Sequence, residues 1–378
     1  MHRLRLRREE SHQEVQTMSD NLRRYRAIWQ ALQQWYPGEP SGRVAQHLTT
    51  LAAFISGIVG SKSSQLPNIA TKIPARAKPD SRVQRLTRWL RNDDMKEEIY
   101  FVPYAEMLLR QLAGVTLVLA MDGSLVGRGC CALMIHVIYK GRALPLAWRV
   151  RQSPKGHFPE DLHIAVVEVV REMIPAGTPV VFLGDGEFDG TRLQDTLREA
   201  GWWYACRTSK GNTVTWQGET FPVAELGACI KPGRLIELQE VAVTHEAYGP
   251  VLLLCCWAKG YVEPLYLVSN MSTAEEAIDY YQKRFRIETF FSDQKSRGFN
   301  IQKSHLTDPQ RLSRLLIASC LAYIWIVYLG VLCTNEGWQR VIHRRKRCDL
   351  SLFQLGLRLL EHFLNEQLPI PVQFHVII

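Results

Sequence analysis

The stretch VTLVLAMDG, residues 115–123, decides the fold. Its apolar run carries no charge until Asp122, so it reads as a strand covered on both faces with an acid at its carboxyl end. The stretch PVVFLGD, residues 179–185, repeats the pattern and ends in Asp185. Buried strands of this kind belong to parallel sheets, and the ligands of open α/β sheets collect beyond strand carboxyl ends. An acid after a strand is often only a turn residue or a helix N-cap, so either one alone says little. Two acids on two such strands form a rarer combination.

Between them the chain reads as a strand over 129–139, a turn at Lys140-Gly141-Arg142, a strand over 143–150 and a helix over 159–173. Further on, YYQKRFRIETFFSDQKSRGF spans residues 280–299. As one continuous helix at about 100° per residue, it would stack Tyr281, Arg284, Glu288 and Lys295 on one narrow face. The same side carries Ala274, Ala277, Ile278 and Phe285 at helical spacing and should face the core. A solvated charged face should lie opposite the apolar one. Here the two coincide, so these charges are expected to line a cleft. A carboxylate beside cations, with two strand-end acids elsewhere, points to metal-dependent phosphate chemistry.

These residues resemble the Asp, Asp, Glu triad of DDE transposases from bacterial insertion sequences, in the group marked by a Tyr-x2-Arg-x3-Glu-x6-Lys signature. In this chain the signature is Tyr281, Arg284, Glu288 and Lys295, with every spacing intact. The resemblance covers residues 80–330. It loosens after the second acid, where the family commonly has Arg and this chain has Gly186, then Glu187 and Phe188, so Glu187 and Asp189 compete with Asp185.

The resemblance implies an α/β fold: a ribonuclease H-like catalytic core interrupted by a β-rich insertion, with an N-terminal all-helical DNA-binding domain. It implies that Asp122, Asp185 and Glu288 are the catalytic acids and hold two Mg2+ ions, for which Mn2+ can substitute. Two such ions about 3.5–4 Å apart stabilise both the attacking and the leaving oxygen of a phosphoryl displacement. Mg2+ takes oxygen ligands, so His and Cys are not required. Arg284 and Lys295 would contact DNA phosphates, Arg with two oxygens and Lys as a point charge. Tyr281 would contact a phosphate, stack on sugar and base, or serve as a core aromatic. The implied partner is double-stranded DNA, both element ends and target, bound by a homodimer.

The excess of chain between Asp185 and Glu288 lies at 209–263, where TVTWQGETFPV, GRLIELQEVAV and GPVLLLCCWAKG alternate between glycine turns. It reads as an inserted antiparallel β unit, as the transposase group also has. Within it Trp216 and Trp257 either pack or offer a ring to an unpaired base, as the family's hairpin step would require.

The chain has a formal charge of +9 and a pI of about 9.1, which suits a polyanionic partner. Between residues 61 and 91 eight basic residues face a single acid, Asp80. SRVQRLTRWLRN, residues 81–92, puts Val83, Leu86, Trp89 and Leu90 on one face and Arg82, Arg85, Arg88 and Arg91 around the rest. It reads either as the recognition helix of a helix-turn-helix module, with SQLPNIATKI before it, or as a basic surface helix. The domains expected are 1–108, helical and DNA-binding, and 109–378, catalytic, ending in a basic helical tail over 335–378 that contains HRRKR at 343–347.

Other classes are excluded or demoted. LLIASCLAYIWIVYLGVLC, residues 315–333, is long enough for a membrane span. Its place soon after the Glu288 segment favours a buried helix across the catalytic sheet, with no membrane. Cysteines lack C-x2-C spacing, as expected of thiols in a reducing bacterial cytoplasm. Gly184, Gly186 and Gly190 miss the dinucleotide fingerprint spacing, so no nucleotide cofactor is expected. Residues 1–17 read as a dispensable basic arm, with Met18 as an alternative start. The function expected is that of an insertion-sequence transposase that binds element ends, cleaves them with metal and transfers strands. The alternatives are a DNA-binding regulator derived from a transposase and a host nuclease of the same fold.

Overall fold

The computed structural model describes residues 19–153, 157–343 and 348–377. The basic arm at 1–17, the start at Met18 and all of HRRKR except His343 lie outside the described residues. The chain divides into two compact units. One is helical and comprises the described residues up to Tyr104, residues 293–306 and those from Gln310 onward. The other holds the sheet and runs from Ala105 to Ser292 with Thr307–Pro309.

In the helical unit, α1 (Asp20–Trp35), α2 (Gly42–Ser61), α3 (Leu66–Thr71), α4 (Pro79–Arg91) and α5 (Glu97–Tyr100) come first. The α2 sequence is apolar almost all round, and Leu48, Leu51, Phe54, Ile55 and Ile58 are fully buried. Against it α1 sets Ile28 and Leu32, four residues apart on one face. Buried Arg24 of α1 donates from Nε to the Ser56 carbonyl at 2.9 Å, and burial lowers its pKa to about 10. The face of α4 with Leu86, Trp89 and Leu90 is buried, and the Trp89 ring lies 5.2 Å from that of Phe54. Seven residues, 72–78, separate α3 from α4, longer than the three or four of a helix-turn-helix turn. Then α6 (Val102–Leu112) carries the chain into the sheet unit.

There the order is β1 (Leu117–Gly127), β2 (Cys130–Tyr139), β3 (Arg142–Gln152), α7 (Glu160–Met173), β4 (Val180–Gly184), α8 (Thr191–Glu199), β5 (Trp203–Arg207), β6 (Thr213–Trp216), β7 (Glu219–Pro222), α9 (Ala224–Cys229), β8 (Arg234–Val243), β9 (Tyr248–Trp257) and β10 (Leu265–Ser269). They form one sheet in the order β3-β2-β1-β4-β5-β10-β9-β8-β6-β7. The pairs β1–β4 and β4–β5 are parallel, and the flanking pairs are antiparallel. The β2–β3 hairpin turns on Lys140 (φ 44°) and Gly141 (φ 76°), two positive-φ residues as a tight I′ turn requires. The segment expected as an insertion supplies β6–β9 and extends the same sheet, with Leu254 of β9 paired to Leu267 of β10 and Leu267 to Arg207 of β5.

After β10 come α10 (Ala274–Tyr281), a 3-10 turn (Gln282–Phe285) and α11 (Arg286–Gln294), and then α12 (Pro309–Asn335), α13 (Gln339–Ile342) and α14 (Leu352–Asn365). The apolar helix α12 is buried, and from Gln310 onward it belongs to the helical unit. Arg314 reaches the Leu90 carbonyl at 2.9 Å and Asp93 at 2.6 Å, and Trp325 donates to the Pro371 carbonyl. The residues from Gln310 onward therefore fall in the same compact unit as the amino-terminal helices. The contact of α12 with α14 is backbone to backbone: a Cβ on Gly330 would meet the Leu352 carbonyl, and one on Gly356 would meet the Ile326 carbonyl. Gly356→Ala is expected to lower stability in urea unfolding by about 1–3 kcal/mol through overpacking, whereas Gly337→Ala, with open space around it, should lose only what its positive φ demands.

Candidate active site

The site is built on strand register. The last parallel pair of β1 with β4 is Ala120 with Leu183, and Asp122 and Asp185 each lie two residues beyond it. Neighbouring strands run about 4.8 Å apart, so the two acids stand side by side. Asp122 is not at the end of β1 as expected from sequence: the strand runs on to Gly127, with Asp122 opposite Met134 of β2. What ends there is the parallel pairing, and the continuing hairpin with β2 holds the acid rigidly.

Burial, then the Asp185 charge, pushes the Asp122 carboxyl up to about 6. The Gly123 N–H at 2.7 Å and the Arg284 charge pull it back, and Glu187 adds to the rise. Asp185 accepts from the Glu187 N–H at 3.0 Å.

The acids that competed with Asp185 in sequence are engaged elsewhere. Glu187 Oε1 accepts from the Phe158 N–H at 2.6 Å and lies 3.4 Å from His163 Nε2 and 3.7 Å from His157 Nδ1. Burial would raise its pKa, but the His163 imidazole and the Phe158 N–H outweigh this and hold it below the usual carboxylate value. Asp189 accepts from Thr208 at 2.8 Å and from Asn212 at 3.1 Å, tying down the chain after β5; burial leaves its carboxyl raised.

The expected single helix over the signature is broken. A 3-10 turn separates α10 from α11, so the stripe is not continuous. Tyr281 and Arg284 are buried, while Phe285, expected in the core, is half exposed. Arg284 stacks 4.7 Å from the Phe285 ring and 5.8 Å from that of Tyr281. Its Nη2 lies 4.0 Å from Glu288 Oε1, and its buried Nε finds no acceptor. The Glu288 side chain is 63 % exposed against 9 % for Arg284. Lys295 follows the end of α11 and belongs to the helical unit. Among the described residues, no three His, Cys, Asp or Glu side chains stand together as a ready metal cluster. The structure sets Asp122 beside Asp185 with the Arg284 charge acting on Asp122, and Glu288 stands exposed next to that same arginine.

Sequence reasoning missed His136 of β2. It is fully buried against Phe290 and Phe291 of α11, at ring distances of 4.4 and 5.8 Å, with neither nitrogen bonded. Burial pushes its pKa down to about 3. One histidine inside an apolar strand gives no spacing signal that could have flagged it.

The expected DNA contacts divide. Arg82 donates to the carbonyls of Ala70, Ile73, Ala75 and Ala77. Arg85 turns inward to Thr50 Oγ1 at 3.1 and 3.2 Å. Arg88 and Arg91 are exposed. Trp257 is partly exposed and donates its indole N–H to the Tyr261 carbonyl at 2.9 Å, beside exposed Tyr261 and Val262.

A mixed α/β sheet with paired acids at the end of its parallel strands belongs to enzymes that work on ligands at that edge. Residues 118–325, more than half of the chain, match the Transposase DDE domain family. The chain belongs to that family, and it is a transposase, a DNA-cleaving enzyme of DNA recombination. Among curated proteins none matches it. Among solved structures it is similar to the cryo-EM structure of the piggyBac transposase synaptic complex with hairpin DNA. The two are 12 % identical with a TM-score of 0.44, over 94 % of this chain and 83 % of that one.

Below pH ~4 Asp122 holds its proton in folded and unfolded chains alike; above about 6 the folded chain alone bears the cost of ionising it. A shift from 3.8 to about 6 corresponds to roughly 3 kcal/mol. Stability from this group is therefore lost as pH rises through that window. Asp122→Asn in chelator should raise the urea midpoint at pH 8 by up to that amount and give no advantage at pH ~4. On α4, Arg82→Ala should cost about 1–3 kcal/mol by orphaning carbonyls. The pair Arg88→Ala and Arg91→Ala should leave stability within about 0.5 kcal/mol while weakening DNA binding and flattening its salt dependence.

Proposed function

We propose that this protein is an insertion-sequence transposase of the Tyr-x2-Arg-x3-Glu-x6-Lys group, built on a ribonuclease H-like core. It binds its element's ends, cleaves them and joins them to new DNA. The observation that carries this reading is the Asp122–Asp185 pair at the end of the parallel strands, inside the segment that matches the family.

The acids fit a divalent cation. Their donors are oxygens, as Mg2+ prefers. They repel each other, and Asp122 is raised to about 6, so the pair is short of positive charge that Arg284 only partly supplies. Asp122, Asp185 and Glu288 would hold the metal, with Glu288 entering from its exposed position beside Arg284. Bound there, Mg2+ or Mn2+ would supply charge neutralisation at the phosphate and an activated oxygen nucleophile.

The chain's own residues do the rest. The β1–β2 hairpin fixes Asp122, and the Glu187 N–H orients Asp185. Arg284 offsets the acids' charge before substrate arrives and, with Lys295, grips phosphate oxygens afterwards. Exposed Arg88 and Arg91 carry binding to the ends, and Trp257 offers its ring to an unpaired base. Each end must be held while another is cut, so the working assembly is a dimer on paired ends, acting in the bacterial cytoplasm.

The test is strand cleavage on DNA from the flanks of the gene with Mg2+ or Mn2+, comparing the native protein with Glu288→Ala and Asp185→Ala. Metal-dependent nicking at a defined end, abolished in both variants, is expected. Specific binding without cleavage under either metal would make it a regulator, and cleavage without end preference would make it a host nuclease.

A further inference from the structure

We propose that Glu187 is a positioning residue for the divalent-metal site: it locks Asp185 to β1 through Phe158 and so sets the spacing of the two aspartates. This rests on the reading of Asp185 as a metal ligand.

The links are short and all lie in the sheet unit. The Glu187 N–H donates to Asp185 Oδ1 at 3.0 Å, and the Phe188 N–H donates to the Asp185 carbonyl at 3.0 Å. From the same residue, Oε1 accepts from the Phe158 N–H at 2.6 Å. The Phe158 ring then lies on Gly123, where a Cβ would come within 2.8 Å of its Cε2. Gly123 adjoins Asp122 and gives that acid its N–H at 2.7 Å. A chain of contacts thus closes from Asp122 through Gly123, Phe158 and Glu187 to Asp185.

The surroundings keep Glu187 in this role. His163 of α7, its side chain 3 % exposed, sits 3.4 Å away, long for a hydrogen bond and better described as electrostatic contact. Its ring packs 4.7 Å from that of Phe188, so the imidazole cannot swing aside. A carboxylate two residues from Asp185 adds unwanted negative charge beside two acids. An apolar residue would avoid that cost, so an acceptor at this position is accounted for by the Phe158 N–H it holds. Residues one layer behind metal ligands orient them in this way, and losing one typically costs about 10–100-fold in metal affinity.

The experiment is Mn2+ binding to the full chain without DNA, by calorimetry and by the metal-induced rise in melting temperature. It compares native protein, Glu187→Ala, Glu187→Gln, Phe158→Ala and Asp185→Asn. Glu187→Ala is expected to weaken Mn2+ binding by about 10–100-fold. Glu187→Gln, which keeps an acceptor for the Phe158 N–H, should restore near-native binding, which a merely structural effect of lost charge would not do. Native-like Mn2+ affinity in folded Glu187→Ala, with binding lost in Asp185→Asn, would overturn the positioning role alone. Binding retained in Asp185→Asn would overturn the metal-ligand reading and this inference with it. Should Glu187→Ala fail to fold, Phe158→Ala decides, since it keeps the N–H but takes the ring off Gly123: Mn2+ binding weakened by about 10-fold or more supports the lock and native-like binding refutes it, while a loss of more than about 10-fold in Glu187→Gln also refutes it.

Discussion

The parallel register of β1 with β4 puts two carboxylates side by side in a half-buried place, and much of the sheet unit answers the charge this concentrates. Two negative charges that close repel, and burial removes the water that would screen them. The raised Asp122 is the measure of that conflict. Arg284, like the Gly123 N–H, relieves part of it: the buried guanidinium stacks against two rings, with Nε lacking an acceptor. Burying an arginine is unfavourable unless negative charge lies nearby. The aspartates make the burial of Arg284 tolerable, and Arg284 makes the aspartates tolerable.

The 3-10 turn at Gln282–Phe285 follows from the same demand. A 3-10 turn advances about 120° per residue where an α-helix advances about 100°. Four residues of it shift everything downstream by roughly 80°. That shift turns Phe285 outward and carries Glu288 off the face that a continuous helix would give it, while Arg284 stays inward. The buried stripe then resumes on α11 with Ile287, Phe290 and Phe291, which cover His136 of β2.

What was legible in the sequence was whatever depended on local pattern. The apolar runs at 115–123 and 179–185, the Lys140-Gly141 turn and the α7 helix all fall where alternation, positive φ and helical spacing put them. Two kinds of feature were not legible. One is phase: a single break in helix geometry redirects Glu288 without leaving a mark in composition. The other is assignment of partners at long range. The apolar α12 was readable as buried, but nothing in its own residues says that its neighbours are the amino-terminal helices and α14. That choice is made by Gly330 and Gly356, which let two backbones touch.

The arginines of α4 show why charge counts are a poor guide to binding surfaces. Arg82 and Arg85 were indistinguishable from Arg88 and Arg91 in sequence, since all sit on one amphipathic helix. The difference lies in what their forks reach. The long loop between α3 and α4 exposes carbonyls that a short turn would have bonded internally, and Arg82 gathers three of them together with the Ala70 carbonyl at the end of α3. Two of these bonds are part-buried, so losing the guanidinium there would leave carbonyls less well satisfied. Arg82 and Arg85 stay partly exposed, but their guanidinium donors are already engaged with protein oxygens. Arg88 and Arg91, one turn at the carboxyl end of the helix, keep their guanidinium groups exposed, and cations there also complement the helix dipole.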